Sequence, residues 1–356
     1  MRASTTQRRA MKKKPIEMRT LIVGMGALGG VIATRLFAAG GSAALATRDR
    51  ASADAIKTSG LRVSGVGGET LAVPQRIAPL EDFLHEQFDL IVLATKAHAA
   101  IELAPVLAAC LADGGILLPI QNGGVPAMLA QQLGEHRVLG GLSNLGATMH
   151  APGVYEQRNA GHLLIGEFGG GISERAEHVK AFLGRGVEIR VSANLRGAIW
   201  SKLLLNCSVT TLGAVAGCTM RQYIDTPEGR RAFRGAYDEA LNVALAGGIK
   251  PERMLVEPIP PGWHGRIEPG ESFDAWLSTV LANYGDLKPS MLQDFERGKT
   301  TEIDFINGYV ANLGRDLRVP TPVNDAITEI VHTIERGELR PAQMLLGEIL
   351  RSADAV

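Results

Sequence analysis

"TLIVGMGALGGVIATRLFAAGG", residues 20 to 41, decides the fold. A β-branched run from Thr20 to Val23 stops at Gly24, and a helical pattern then runs from Ala27 until glycines 40 and 41 close it. Gly24, Gly26 and Gly29 make a G-x-G-x-x-G spacing between that strand and that helix. Here Gly24 permits the tight turn and Gly26 lets the backbone approach a diphosphate. Gly29 lets the helix pack on the strand, and the phosphates sit at the helix N-terminus. Met25, Ala27 and Leu28 complete the expected cofactor loop.

Working outward, "SAALATR" reads as a second strand, followed by "FDLIVLATK" (88–96), "GGILLPIQN" (114–122) and "RVLGGLS" (137–143). Helix-like stretches such as "AAIELAPVLAACLAD" separate them. Continuous apolar strands alternating with helices imply a parallel sheet covered on both faces. "HLLIGEF" and "VEIRVSANL" are expected to complete or extend it. Beyond residue 193 helical patterns dominate, at 194–216, 227–247, 272–284, 289–313 and 322–335. The expected architecture is an α/β Rossmann-type N-terminal domain with a parallel sheet (19–190) and an all-α C-terminal domain (191–350), after a disordered basic tail (1–18).

The chain of 356 residues is long enough for two cores, and its 37 basic and 37 acidic residues balance. A nucleic-acid partner would call for a basic excess, so none is expected. Three cysteines without C-x-x-C spacing fit a reduced, cytoplasmic protein and offer no metal site. No uninterrupted run of 18 apolar residues appears, so no membrane span is expected. The first 18 residues lack the apolar core of a secretory signal, which leaves a tail or an amphipathic targeting peptide. A homodimer stays open.

The second strand ends in Thr47 and Arg48 rather than in the carboxylate that would hold a ribose hydroxyl. An arginine there suits a 2′-phosphate, so NADPH is the expected cofactor. Asp49 would oppose that reading if it turned inward. Lys96 and Asn122 close two consecutive apolar strands, the end at which open parallel sheets bind ligands. Either residue alone would also serve as a helix cap.

In "AIWSKLLLNCSVTTLGAVAGC" (198–218), Lys202, Asn206 and Thr210 recur every four residues on an otherwise apolar helix. An ammonium in such surroundings needs a partner or a lowered pKa. The spacing suits a lined cavity, and equally a lysine whose head snorkels to the surface. In "PSMLQDFERGKTTEIDFINGY", Ser290 and Asp294 share a helix face, with Glu302 two turns on and offset in phase. Spacing leaves Glu302 as either a site or a surface carboxylate.

Together "GMGALG", "TKAH", "QNG", "WSKLLLNC" and above all "SMLQDFERGKTTEIDFING" resemble the ketopantoate reductases (2-dehydropantoate 2-reductases), over residues 19 to 335. The resemblance implies a Rossmann domain, a helical domain, and an active site in the cleft between them. It implies that Lys202 donates the proton and that Asn206 and Ser290 bind substrate. Asn122 would touch nicotinamide and substrate, with Lys96 and Glu302 also in the site. Two departures bear on the substrate. Thr210 stands where the family usually has a second asparagine, and a long segment precedes "KPSMLQD".

The expected reaction is NADPH-dependent hydride transfer to the ketone of a small 2-oxo acid, 2-dehydropantoate, giving pantoate as in pantothenate biosynthesis. Lys202 would protonate the growing alkoxide, with Glu302 expected to keep it charged. The alternatives are a reductase of a different branched 2-oxo acid, with Thr210 in its site, or a non-enzymatic NADP-binding sensor. The proline-rich segment Glu257–Ser272, with Trp263 and His264, is expected either to close over substrate as a lid or to be a passive excursion.

Overall fold

The computed structural model describes residues 17–263 and 272–355. Of the expected basic tail only Glu17 and Met18 are among them. Met18 packs against the core and Glu17 lies 3.1 Å from Arg185, so these two belong to the folded chain.

Strand β1 (Thr20–Val23) is wholly buried and leads into helix α1 (Ala27–Ala38). The pattern repeats with β2 (Ala44–Thr47) and α2 (Arg50–Ser59). A small antiparallel pair follows, β3 (Leu61–Gly65) and β4 (Thr70–Ala72), then β5 (Arg76–Pro79) and β6 (Phe88–Leu93). Helix α3 (Ala97–Ala109), β7 (Leu111–Pro119) and α4 (Val125–Leu133) continue the alternation. The main sheet is all parallel, in the order β5-β2-β1-β6-β7. Its strands are apolar on both faces because helices cover both, as the sequence pattern demands.

Three later strands depart from expectation. β8 (Gly140–Ser143), β11 (Leu163–Gly166) and β12 (Ile189–Ser192) form their own three-stranded sheet, with α5 (Glu174–Leu183) packed on β12. A single bridge, Leu117 to Val138, is where this sheet abuts the main one. β9 (Ala147–Ala151) and β10 (Val154–Gln157) join β3 and β4 in a third sheet that the sequence did not reveal. Its strands are short and half exposed, so they lack the continuous apolar runs that mark the parallel strands.

Past Ser192 the described chain is helical. Helix α6 (Leu195–Leu205) runs through a π-helical turn, Asn206–Thr210, into α7 (Thr211–Ala216). Then come α8 (Met220–Tyr223), α9 (Pro227–Ala246), α10 (Phe273–Tyr284), α11 (Ser290–Glu296), α12 (Asn307–Leu317), α13 (Pro322–Glu335) and α14 (Leu345–Asp354). Leu195–Ala216 is long and apolar enough to cross a membrane, but most of it is buried inside the protein as the spine of the helical core. Each large apolar side chain buried there, such as Phe233 or Trp276, contributes about 1.5–3 kcal/mol.

The helix expected over 289–313 is two helices. Gly298, at φ +59°, ends α11 in the left-handed conformation that favours glycine. Its amide donates to Phe295 O and the Lys299 amide to Asp294 O, a Schellman motif. The chain therefore turns away at Gly298, and Glu302 is not on a helix shared with Ser290.

Candidate active site

The turn between β1 and α1 fits a dinucleotide diphosphate. Gly24 has φ +96°, and a Cβ there would press to 2.8 Å on the Thr95 amide nitrogen. At Gly29 a Cβ would overlap the Gly24 carbonyl oxygen, so only glycine lets α1 pack this closely. Gly26 is different: no atom of the described residues lies within 4 Å of the place its Cβ would occupy, and none of their side chains caps α1. Open space in front of free helix amides is what an anionic group needs. Met25 is buried, and its carbonyl accepts a hydrogen bond from Tyr155 Oη at 3.2 Å. Ala27 and Leu28 begin the helix.

At the end of β2 the Arg48 side chain is 94% exposed, with Nε 3.2 Å from Asp49. Asp49 does not turn towards the glycine turn. Its Oδ1 caps α2 by accepting the Ser52 amide at 2.8 Å, a bond that also lowers its pKa.

The ends of β6 and β7 meet the segment between α11 and α12. Lys96 Nζ lies 3.2 Å from Asp294 Oδ2, and the Ala97 amide donates to Glu302 Oε1 at 2.9 Å. His98 Nε2 is 3.1 Å from the Thr301 carbonyl oxygen, and its ring stands edge-on to Phe305 at 4.8 Å. The Gly124 amide donates to Phe305 O at 2.8 Å. Gln121 is buried and donates to the Leu93 and Thr95 carbonyls, which ties β7 to the end of β6. Thr95 Oγ1 and Gln121 Oε1 are buried at the same place without a hydrogen-bond partner, a second sign that polar groups converge there.

Lys202 reaches from α6 to the end of β8, where its ammonium donates to the Ser143 carbonyl. The side chain is part-buried, and its ammonium lies among protein atoms whose burial lowers its pKa to about 8. Burial accounts for this shift; among the described residues no carboxylate opposes it. The sequence reading expected Glu302 to hold the charge on Lys202. In the structure the Glu302 carboxylate is engaged at the start of α3 instead, and a pKa near 8 leaves Lys202 mostly protonated at neutral pH without it.

Asn206 and Thr210 lie on the same helix, but the π turn shifts Thr210 out of strict four-residue phase. The hydroxyls of Thr210 and Thr211 both donate to the Asn206 carbonyl at 3.0 Å. Asn307 Nδ2 donates to the Cys207 carbonyl at 3.2 Å, so side chains add hydrogen bonds to carbonyls along the wider turn. The side chains of Asn122, Asn206 and Ser290 make no hydrogen bond to described residues. Ser290 is exposed at the start of α11.

Trp263 corrects the lid expectation as far as the described residues go. It is 8% exposed and belongs to the helical core. Just before it, the Glu257 carbonyl accepts Trp276 Nε1 and the Pro258 carbonyl accepts Tyr237 Oη, both at 2.8 Å. Residues 257–263 are thus fastened to the helices. His264 through residue 271 lie outside the described residues.

Sequence reasoning missed the Ala97 amide, His98, Gln121, Ser143 and Asn307. "TKAH" carries His98 and the start of α3 in plain view. The Ser143 carbonyl leaves no mark in a sequence, since any residue would supply it.

Residues 20–170 match the family model described as "Ketopantoate reductase PanE/ApbA", and residues 194–335 match its C-terminal counterpart. A 2-dehydropantoate 2-reductase of Mesorhizobium japonicum is 31% identical over 349 residues, covering 90% of this chain and 99% of its own. The crystal structure of a PanE/ApbA family ketopantoate reductase from Ralstonia eutropha JMP134 superposes with TM-score 0.74 at 25% identity, over 90% of this chain and 99% of that one. D-mandelate dehydrogenase, solved with NADH and anilino(oxo)acetate, shares the fold at TM-score 0.74 and 23% identity, over 90% and 99% of the two chains. With both halves matched in order, the chain belongs to the ketopantoate reductase family, oxidoreductases acting on a CH–OH group.

Proposed function

We propose that this protein reduces 2-dehydropantoate to pantoate with NADPH, within the two domains 19–190 and 191–350 and in the cytoplasm. The observation that carries the reading is Lys202: a desolvated ammonium on α6, still charged at neutral pH, lodged against the α/β part of the molecule.

The bound nicotinamide would supply the hydride. Everything else falls to the chain. Gly24 to Gly29 would hold the diphosphate against the start of α1, and Arg48, its guanidinium exposed beside Asp49, would meet the 2′-phosphate. Lys96 and Asn122 line the nicotinamide end, and Asn122 also reaches the substrate. As the ketone takes the hydride, charge grows on its oxygen. The Lys202 ammonium leaves the Ser143 carbonyl, donates to that oxygen and delivers its proton. Burial favours this step, because it lowers the cost of leaving the lysine neutral. Asn206, Thr210 and Ser290 hold the carboxylate and hydroxyl of the substrate. Glu302, fixed by the Ala97 amide, draws the helical part onto α3 beside the cofactor.

A second reading keeps the chemistry and changes the substrate. Thr210 gives its hydroxyl proton to the Asn206 carbonyl, so it can accept from a substrate hydroxyl but offers the pocket no donor, which suits a bulkier 2-oxo acid. The fold neighbour solved with anilino(oxo)acetate supports that direction. Family membership sets the non-enzymatic sensor aside. NADPH consumption against a panel of 2-oxo acids separates the two readings. The first expects 2-dehydropantoate to have the highest kcat/KM, and an aromatic 2-oxo acid in that place would favour the second.

A further inference from the structure

Behind Glu302 sits a polar cluster that the proposed chemistry does not use. His332, in the last turn of α13, lies between two carboxylates. Its Nδ1 is 3.0 Å from Glu335 Oε2 and its Nε2 is 2.9 Å from Asp304 Oδ1. Glu335 gives its other oxygen to the Thr301 amide at 2.7 Å. The two grips therefore fall at Thr301 and Asp304, one on each side of Glu302. The inner side of the same segment faces α3, through His98 on the Thr301 carbonyl and the Ala97 amide on Glu302.

We propose that His332 is a positioning residue for Glu302: held between Asp304 and Glu335, it fixes residues 301–304 so that the Glu302 carboxylate meets the start of α3. The part Glu302 plays in turnover rests on the function proposed above, whereas the clamp itself needs neither cofactor nor substrate.

An imidazolium donates from both ring nitrogens and a neutral imidazole from one. Two carboxylates are therefore both satisfied only by the charged ring. Burial works against that charge, but Glu335 and Asp304 outweigh it and raise the His332 pKa. Among the described residues these two, one on α13 and one on the segment packed against it, are the charged groups whose influence reaches the ring. The clamp is complete below the ordinary imidazole range. It loosens as pH rises through the raised value.

The test is amide exchange at Ala97 in the ligand-free full chain, read by fragmentation mass spectrometry from about pH 6 to about pH 9 and corrected for intrinsic rate. His332→Ala is expected to speed exchange at Ala97 roughly tenfold, as loss of a charge-assisted pair allows. His332→Arg keeps donors for both carboxylates at every pH, so it is expected to retain protection and lose the pH dependence. A pH dependence as large as the wild type's that survives in His332→Arg belongs to a group other than His332 and overturns the proposal. Unchanged Ala97 exchange in a folded His332→Ala also overturns it. If His332→Ala fails to fold, the His332→Arg profile decides. Turnover of the same proteins is expected to show kcat reduced in His332→Ala with KM for the 2-oxo acid little changed. A wild-type protein that reduces no 2-oxo acid refutes the proposed function and leaves the exchange result to judge the clamp.

Discussion

The carboxylate of Glu302 and the amide of Ala97, 205 positions apart in the chain, meet at 2.9 Å across the junction of the α/β and helical parts. The bond occurs at the first residue of α3, where helix amides lack internal partners and a negative charge is favourable. Glu302→Ala is expected to cost about 0.5–2 kcal/mol of stability, the range for losing a helix cap, with a fall in kcat. Glu302→Gln keeps an acceptor oxygen and should lose less stability. Urea denaturation of the two variants checks this, and equal losses would contradict it.

Gly26 and Gly29 separate binding from folding. Gly26→Ala places a methyl in open space, so Tm should hold while NADPH affinity falls by about tenfold or more, since the methyl stands where the diphosphate approaches. Gly29→Ala drives a methyl into the Gly24 carbonyl and should destabilise the protein itself. Calorimetric titration beside a thermal melt reads both. Unimpaired NADPH binding by Gly26→Ala would remove the diphosphate from this turn.

Arg48 should set the choice between cofactors. NADPH is expected to bind more tightly than NADH, and Arg48→Ala should narrow the gap by about 1.5–3 kcal/mol, the value of a hydrogen bond to a charged group. Titration of both cofactors into both proteins measures it. Equal wild-type affinities would contradict the assignment.

Lys202 carries a stability cost whose sign is fixed by its pKa. Folding lowers that pKa from the ordinary 10.5 to about 8, so below pH 8 the folded protein holds a proton it would bind more tightly when unfolded. The penalty is fully present at neutral pH and fades between the folded and unfolded values. Lys202→Met should therefore stabilise the protein at pH 7 by up to ~3.5 kcal/mol, at about 1.4 kcal/mol per pKa unit, and by less at high pH. A variant that is less stable than wild type at pH 7 would show the ammonium to be a structural anchor through Ser143.

The parallel sheet and the glycine turn between β1 and α1 were legible because their signals are local: apolar runs, and glycines at fixed spacing. Lys202 was legible too, as a charge where periodicity demands none. Glu302 was misplaced because helical phase was carried through Gly298, although the glycine in "ERGK" was the signal to stop. The π turn at Asn206–Thr210 had no mark in an apolar sequence, since it depends on tertiary partners such as Asn307. The third sheet was missed because its short strands are partly exposed. Trp263 looked available for substrate because nothing in its neighbourhood tells that Glu257 and Pro258 are bonded to Trp276 and Tyr237.

The most direct test is to supply 2-dehydropantoate and NADPH to the wild type and to Lys202→Ala, and to quantify pantoate alongside cofactor consumed. The account predicts one pantoate per NADPH in the wild type. It predicts a kcat lower by about 100-fold or more in the variant, the range for losing a general acid, with NADPH affinity unchanged. A Lys202→Ala protein that forms pantoate at the wild-type rate would contradict the account.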